Sequence, residues 1–201
     1  AKAARLGLTH FFAVYDGHGG KRAAAWAHEH LVANLLETRM DPDDHGDVAD
    51  ALDEASVQAF LQTDREFLSH AALRGMPDGS TAVTCMLQPP AAPGGPRRLL
   101  VANLGDSRCC LVRGDGSAVA LSDDHKPNRP DERARVQAAG GHVVFAGCWR
   151  VQGDLAVSRA FGDSHLKRYG VSAEPELSRY DLAEGDAQLV LASDGLWDVW
   201  D

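Results

Sequence analysis

The hydrophobic and polar positions of this chain recur with two different periods, which predict its helices and strands. Apolar residues spaced three and four apart over 21–39 and 48–73 are typical of amphipathic helices. A third helix is expected to begin at Pro130 and to end at Gly140, because proline suits a first helical turn and glycine follows a last one. Short apolar runs predict strands, which cover 11–15, 80–87, 98–103, 107–113, 117–121, 142–145, 148–151, 176–180 and 188–192.

Each of the two long helices should bury one stripe of side chains. The expected stripes are Ala24, Ala27, Leu31 and Leu35 on the first helix and Val48, Leu52, Ala55, Ala59, Phe60 and Phe67 on the second. Strands grouped by short turns, with few long helices, favour an α+β fold of antiparallel sheets covered by helices over a parallel doubly wound sheet. No internal repeat or linker divides the chain, which indicates a single domain over 1–201.

Composition and charge narrow the class of protein. The 20 Lys and Arg residues against 29 Asp and Glu give a formal net charge of −9, which argues against a general binder of nucleic acid or of anionic membranes. Within the 201 residues we recognise no signal peptide and no apolar run long enough to cross a bilayer. The cysteines show no C-x-x-C spacing, so we expect reduced, small core side chains and an intracellular protein, cytoplasmic or nuclear. They are Cys85, Cys109, Cys110 and Cys148.

Three aspartates stand at strand ends, each beside a glycine. Asp16 follows the predicted strand 11–15, Asp194 follows the strand 188–192, and Asp106 lies in the turn between two other strands. In each place an apolar strand delivers a carboxylate, and the glycine leaves space above it. Hard divalent cations prefer oxygen ligands held on rigid elements, which makes all three aspartates candidate ligands.

Neighbouring residues extend this hypothesis. The Gly17 carbonyl is a second kind of oxygen ligand, and His18 is close enough in sequence to exchange protons at the same site. Asp198 comes four residues after Asp194, so both carboxylates would lie on one side of a helix that starts there. Structural alternatives exist, with Asp16 as the cap of the next helix and Asp198 as a first-turn acid favoured by the helix dipole.

Oxygen donors without thiols point to Mg²⁺ or Mn²⁺, since zinc normally recruits more histidine or cysteine. Two such ions about 3.5–4 Å apart can share a hydroxide and clamp a phosphoryl group for in-line attack. The acidic stretch 41–47 is a weaker candidate for metal binding. His45 stands where a calcium loop needs Asp or Asn, and Leu52 stands where its bidentate glutamate belongs. We interpret 41–47 as a solvated loop.

Seven segments resemble, in order, signature motifs of the metal-dependent type 2C protein serine/threonine phosphatases, the PPM family. The first reads Phe-Ala-Val-Tyr-Asp-Gly-His-Gly-Gly, and the last reads Ala-Ser-Asp-Gly-Leu-Trp-Asp-Val. Any one motif would be weak evidence. Seven motifs in the right order, extending across nearly the whole chain, make a strong match. The segments are 12–20, 78–82, 102–108, 124–127, 150–163, 173–176 and 192–199.

The resemblance implies a fold and an activity. The fold would be an α-β-β-α sandwich of two mainly antiparallel sheets flanked by helices, with the metals at one end. The activity would be removal of phosphate from phosphoserine and phosphothreonine of proteins by a hydroxide that bridges two Mg²⁺ or Mn²⁺ ions, without a covalent intermediate. Phosphorylated proteins would be its partners, and we expect a monomer. The competing function is a pseudophosphatase that keeps the fold as a protein-binding platform.

The resemblance also implies ligand roles. Asp16 corresponds to the carboxylate that bridges the two metals, Gly17 to a residue that gives a backbone carbonyl to one of them, and Asp194 to a ligand of the other. Asp106 and Asp198 correspond to residues that, with Asp194, hold a third, weaker metal in some members.

His18 corresponds to the family's general acid, which protonates the departing serine or threonine oxygen. A serine alkoxide is a poor leaving group, and a histidine of near-neutral pKa can supply the proton. The segment 163–170 corresponds to a flap beside the active site that is thought to influence substrate choice. The family pattern also extends beyond both ends, to an upstream acid and phosphate-gripping arginine and a downstream Asp-Asn pair. We therefore expect 1–201 to be the central part of a catalytic domain, in which each metal lacks a ligand.

Other polar residues are expected to serve the fold. His125 lies in one of the motifs, and we predict a structural hydrogen bond for it. Arg108, Arg150 and Arg159 are expected to pair with nearby acids more than to bind phosphate. The histidines expected to be incidental are His10, His70, His142 and His165.

Overall fold

The structure is a computed structural model that describes residues 6–38, 48–90 and 92–200, apart from the side chains of 48–50. The predicted acidic loop 41–47 lies outside the described residues. In chain order the elements are β1 (His10–Val14), β2 (Gly17–His18), α1 (Arg22–Glu37), α2 (Val48–Ala72), β3 (Gly79–Ser80), β4 (Ala82–Gln88), β5 (Arg98–Leu104), β6 (Arg108–Arg113), β7 (Ala118–Ala120), α3 (Pro130–Ala138), β8 (Val143–Ala146), β9 (Cys148–Val151), β10 (Phe161–Gly162), α4 (Ser164–Lys167), β11 (Glu176–Asp181), β12 (Asp186–Ala192) and α5 (Asp194–Trp197).

Two antiparallel sheets pack against each other. The first has the strand order β1-β4-β5-β11, and the second has the order β12-β6-β7. Side chains alternate along the central strands, as the twofold period of a strand requires. Val83 and Val101 join Cys109 and Leu111 in a cluster that includes residues of both sheets. The predicted α+β class with antiparallel sheets is confirmed.

The two long helices cover the other face of the first sheet. Leu31 of α1 and Phe60 of α2 belong to one core cluster with Met86 and Leu100 of the sheet. The predicted stripes of both helices are buried, with one correction on α1. Ala23 is the fully buried residue there, while Ala24 is only half-buried. The side chain of Val48 is not among those described.

A smaller cluster lies beside the sandwich, under α3 and the β8–β9 hairpin. Val136 of α3, Val143 and Val151 of the hairpin and Leu166 of α4 pack together there. This cluster supports the segment from β9 to α4, which borders the site described below.

Three very short strands correct the predicted strand map. Gly17–His18 and Phe161–Gly162 were not predicted as strands, and the predicted strand 80–87 is divided at Thr81 into β3 and β4. The cause is physical, since a two-residue strand is too short to show a period. The three form a separate sheet of order β10-β3-β2.

The cysteines are free, as expected, but they are not all in the core. Cys85 and Cys109 are buried and Cys110 is half-buried, whereas Cys148 on the β8–β9 hairpin is exposed. In the described part of the chain, none of the helices has the length and apolar character that spanning a membrane requires.

Candidate active site

The small sheet β10-β3-β2 brings together two distant parts of the chain. His18 of β2 lies opposite Gly79 of β3, and Gly162 of β10 lies opposite Gly79 from the other side. The residue that follows Gly162 is Asp163, and its Oδ2 is 2.7 Å from His18 Nε2. A histidine and a carboxylate 145 positions apart are therefore paired across one glycine.

Gly79 is required at this point by lack of space. A Cβ added to it would lie 2.1 Å from Asp163 Oδ2 and 2.2 Å from His18 Nε2. Such distances are far inside van der Waals contact, so any side chain here would separate His18 from Asp163.

The backbone of Asp16 is fixed by the residues after β3. Thr81 donates its N–H to the Asp16 carbonyl at 2.9 Å, and its hydroxyl accepts from the Asp16 N–H at 3.3 Å. The same hydroxyl shares a hydrogen bond of 2.8 Å with Ser107, next to Asp106. Thr81 thus links the Asp16 strand end to the Asp106 turn. Gly105 is needed there, because its φ is +106° and an added Cβ would lie 2.8 Å from Thr81 Cβ.

Four of the sequence-predicted residues line one cavity of about 560 Å³. They are Asp16, His18, Asp106 and Asp194, and Asp163 lines it too. The other two predicted site residues are placed differently. Gly17 follows Asp16 and is the first residue of β2. Asp198 is exposed and directly follows α5. In the described structure neither residue is among those that line the cavity.

The carboxylates of this cavity repel one another. Burial raises the pKa of Asp194, and the neighbouring Asp16 raises it further through its negative charge and a carboxyl–carboxyl hydrogen bond. Asp198 adds a smaller effect of the same sign. Asp16 and Asp194, from opposite ends of the chain, are therefore in direct contact.

Asp106 has a built-in cation. Lys126 Nζ lies 2.5 Å from Asp106 Oδ2, which counteracts the effect of burial on this carboxyl. The pKa of Asp106 is nevertheless raised, because burial and the charges of Asp194 and Asp124 outweigh Lys126. The sequence reasoning did not identify Lys126, although it lies in the Asp-His-Lys-Pro motif.

His18 is suited to donate a proton. Burial alone would lower the pKa of His18, but the hydrogen bond and charge of Asp163, with Asp106 and Asp16 beyond it, raise the pKa above its ordinary value. The side chain keeps 32% of its surface exposed, against 4% for Asp163. His18 can therefore reach a molecule in the cavity, whereas almost none of the Asp163 side chain is accessible.

The donor set agrees with a hard divalent cation in kind but not in number. Oxygen atoms of Asp16, Asp106 and Asp194 line the cavity, and carboxylate oxygens are the ligands that Mg²⁺ and Mn²⁺ prefer. Among residues 6–38, 48–90 and 92–200, however, no three His, Cys, Asp or Glu side chains form a group that could hold a metal ion. Asp16 and Asp194 are therefore two candidate oxygen donors in contact, short of a complete set of ligands.

The residues expected to serve the fold mostly do so. His125 Nδ1 accepts the N–H of Gly105 at 3.0 Å, Arg108 pairs with Asp124 at 2.7 Å, and Arg159 is bound to Glu132. Arg150 is an exception. It donates to the backbone carbonyls of Ala146 and Asp154 and not to an acid, and it lines the cavity.

The sequence reasoning also did not single out Asp163, which lines the cavity, or Asp78, which precedes Gly79 and is not among the residues that line it in the described structure. Asp78 is fully buried and accepts from the backbone N–H and the guanidinium of Arg22 at the start of α1. Each ends or begins a segment that the motif comparison had marked, and that position was the available signal. Burial, which the sequence does not show, separates them from ordinary surface aspartates.

The chain is similar to proteins of one family. A family model described as "Protein phosphatase 2C" matches residues 2–201. Among curated relatives, "Probable protein phosphatase 2C 11" of Arabidopsis thaliana is 48% identical over 94% of this chain and 46% of its own length. "Probable protein phosphatase 2C 55" of Oryza sativa subsp. japonica is 49% identical over the same share of both chains. The chain thus spans about half the length of these relatives.

Solved structures share the fold. The serine-threonine phosphatase 2C from Toxoplasma gondii has a TM-score of 0.81 at 26% identity, covering 95% of this chain and 69% of that one. A sex determining protein of C. elegans has a TM-score of 0.80 at 30% identity, covering 95% of this chain and 44% of that one.

Proposed function

The chain belongs to the protein phosphatase 2C family, and from this premise we propose that the protein removes phosphate from phosphoserine and phosphothreonine side chains of other proteins. Its relatives support the chemical class, since two curated ones are named probable protein phosphatases and one solved relative is a serine-threonine phosphatase. The substrates would be phosphorylated proteins.

The observation that carries the proposal is the contact between Asp16 and Asp194 in the same cavity as His18. Two carboxylates in contact destabilise each other unless a cation lies between them or one of them is protonated. A histidine beside them supplies the other function that hydrolysis of a phosphate ester needs, which is protonation of the leaving oxygen.

In this proposal Asp16 and Asp194 are the principal ligands of two Mg²⁺ or Mn²⁺ ions. The Gly17 carbonyl is a further ligand, and Asp106 and Asp198 contribute to a third, weaker site with Asp194. When bound, such ions supply a nucleophile at neutral pH and Lewis-acid polarisation of the phosphoryl oxygens. Lys126 is paired with Asp106 Oδ2, so Oδ1 is the oxygen of this carboxylate that could bind a metal without displacing the lysine.

His18 would act as the general acid. As the bond between phosphorus and the serine or threonine oxygen breaks, the electron pair stays on that oxygen and a proton from the imidazolium neutralises it. The cavity is large enough to admit a phosphorylated side chain, and His18 is partly exposed in it.

The test is hydrolysis of a phosphothreonine peptide by the full-length protein. We expect turnover that requires Mn²⁺ and disappears in Asp194→Asn. Asp115→Asn is the matched control, because Asp115 is an exposed residue of the β6–β7 turn and bonds only locally with Ser117. Turnover of equal size in Asp194→Asn and Asp115→Asn would contradict the proposal. Binding of a partner protein without turnover would indicate the non-catalytic platform.

A further inference from the structure

We propose that Asp163 is the positioning residue of His18: its buried carboxylate accepts the hydrogen bond of Nε2 and fixes the imidazole in the orientation from which it gives a proton to the leaving oxygen. The inference rests on the proposed function, in which His18 is the general acid. Asp163 touches neither substrate nor metal in this account and acts only through the histidine.

The contact between the two side chains is direct. Asp163 Oδ2 lies 2.7 Å from His18 Nε2, and Asp163 is only 3% exposed. A carboxylate accepts hydrogen bonds and donates none, so Nε2 must carry the proton that it shares with Asp163. This leaves Nδ1 as the ring nitrogen that can exchange a proton with a substrate. After the transfer, His18 is neutral and still donates its Nε2–H to Asp163.

The backbone places Asp163 in a costly conformation. Its φ of +49° and ψ of +47° are left-handed, which non-glycine residues seldom adopt and which aspartate and asparagine tolerate best. The preceding Gly162 has φ +75°, and a Cβ on it would lie 2.1 Å from the Asp78 carbonyl oxygen. Strain of this kind persists only where neighbouring bonds over-determine it, and it concentrates at functional sites.

Neighbouring bonds do over-determine this turn. The Asp163 N–H donates to the Asp78 carbonyl at 3.1 Å, and the Gly162 N–H donates to Asp64 Oδ1 at 2.7 Å. Asp64 is itself held by Lys167, whose Nζ is 2.8 Å from Asp64 Oδ2. The charge of Lys167 acts on both Asp64 and Asp163. The turn that presents Asp163 is therefore anchored to α2 through Asp64, independently of His18.

The exposed pair of Asp154 and His165 provides an internal contrast. His165 Nε2 lies 2.9 Å from Asp154 Oδ2, on the border of the same cavity. The side chain of His165 is 49% exposed and that of Asp154 is 63% exposed. Solvent strongly screens the attraction within such a pair. The same two residue types thus occur twice, once buried on a strained and anchored turn and once on the surface.

A positioning role and a purely structural role predict different kinetics. Protonation by a general acid accelerates the loss of an alkoxide leaving group, as in a phosphothreonine peptide. It has little effect on the loss of p-nitrophenolate, which leaves without a proton. A residue that only supports the fold would affect both substrates alike.

The experiment uses the full-length protein with Mn²⁺ and compares Asp163→Asn with wild type on both substrates. Asparagine keeps the left-handed conformation and the size of the side chain but removes the charge. We expect kcat on the phosphothreonine peptide to fall about 10- to 100-fold, within the range that general acids contribute. On p-nitrophenyl phosphate kcat should change less than about 3-fold, with KM unchanged for both.

Two further variants complete the test. His18→Gln should show the same division between substrates, and adding Asp163→Asn to it should cause no further loss, because the two residues act as one unit. Asp115→Asn, the exposed control outside the cavity, should leave both substrates unchanged. Equal losses on the two substrates, or no loss on either, would overturn the inference for Asp163.

Gly79→Ala decides the matter if Asp163→Asn does not fold. It leaves every ionisable group in place and forces His18 and Asp163 apart, so it should reproduce the selective loss on the peptide; an equal loss on both substrates would overturn the inference. The proposed function fails in a different way, by absence of Mn²⁺-dependent turnover in the wild type, and the inference for Asp163 then fails with it. If the wild type shows Mn²⁺-dependent turnover and Asp163→Asn loses activity equally on both substrates, the inference for Asp163 is contradicted and the proposed function is not.

Discussion

The carboxylates of the cavity and the carboxylate of Glu132 have opposite surroundings. Glu132 on α3 is fully buried and accepts from Arg135 at 2.5 Å, from Arg159 at 2.8 Å and from Ser158. Burial alone would raise its pKa, but these hydrogen bonds hold the pKa of Glu132 well below its usual value. In the cavity, Asp194 meets another carboxylate instead, and its pKa is raised.

The difference separates an acid whose charge the fold compensates from acids whose charge it leaves uncompensated. Around Glu132 the chain supplies its own cations, so the cluster is complete within the fold and joins α3 to the segment before β10. In the cavity Asp106 has Lys126 and Asp163 has His18, while the Asp16–Asp194 contact is left without a comparable partner among the described residues. Perturbed carboxyls concentrated in a cleft are typical of sites that bind or catalyse. Removing the charge of Glu132 should therefore lower the free energy of unfolding, whereas removing the charge of a cavity carboxylate should raise it.

The largest effect is expected at Glu132. Glu132→Gln places a neutral, fully buried side chain against the half-buried guanidinium groups of Arg135 and Arg159, and removing one partner of a buried ion pair costs up to about 3–5 kcal/mol. We expect a loss of this size in the free energy of unfolding, measured by urea denaturation of the full-length protein. Glu174→Gln is the control, because that side chain is exposed. A loss below about 1 kcal/mol would show that Glu132 is not compensated as described.

An intermediate effect is expected from acid, through His125. Burial and the positive charges of Arg159 and Arg129 lower the pKa of His125 to about 4, although Glu132 and Glu176 oppose them. Between pH 6.5 and 4 the unfolded chain binds a proton on His125 that the folded chain does not. The contribution of His125 to stability is therefore complete above this window and is lost as the pH falls through it, by roughly 3 kcal/mol.

The variant His125→Asn isolates this contribution. Its amide oxygen can still accept the Gly105 N–H, but it does not titrate. The stability difference between pH 7 and pH 4.5 should be smaller in His125→Asn than in the wild type. The exposed His142→Asn should keep the wild-type difference. Identical pH profiles for all three proteins would contradict the assignment to His125.

The smallest effect on the free energy of unfolding is expected at the cavity, where the substitution should stabilise the protein. In a metal-free buffer with chelator, Asp194→Asn removes the repulsion with Asp16 and should raise the free energy of unfolding by up to about 1 kcal/mol, since the site is partly open to solvent. Asp115→Asn should leave it unchanged. Destabilisation by Asp194→Asn without metal would mean that the cavity carboxylates are compensated in the same way as Glu132.

The positions of the three central aspartates could be predicted from the sequence because local signals determine them. Each of Asp16, Asp106 and Asp194 follows a strand long enough to show an apolar pattern, and each adjoins a glycine. Their convergence follows from the two-sheet sandwich, which the family resemblance had implied, whereas the grouping of strands and turns had indicated only antiparallel sheets covered by helices. The helix bounds and most of the buried stripes were predictable for the same reason.

The His18–Asp163 pair could not be predicted. It depends on three strands of two residues each and on the missing side chain of Gly79, none of which produces a periodic pattern. Asp131 and Glu132 show a related difficulty. Both acids suit the first turn of α3, yet only Glu132 is buried. That distinction arises from Arg159, which the fold brings from 27 positions away.

The central claim is that Asp16 and Asp194 form one cation site, and calorimetric titration of the metal-free full-length protein with Mn²⁺ tests it most directly. The account predicts a binding heat in the wild type and in Asp115→Asn, and affinity weakened at least about 10-fold in Asp16→Asn and in Asp194→Asn. Equal Mn²⁺ affinity in all four proteins, or no binding by the wild type, would contradict it.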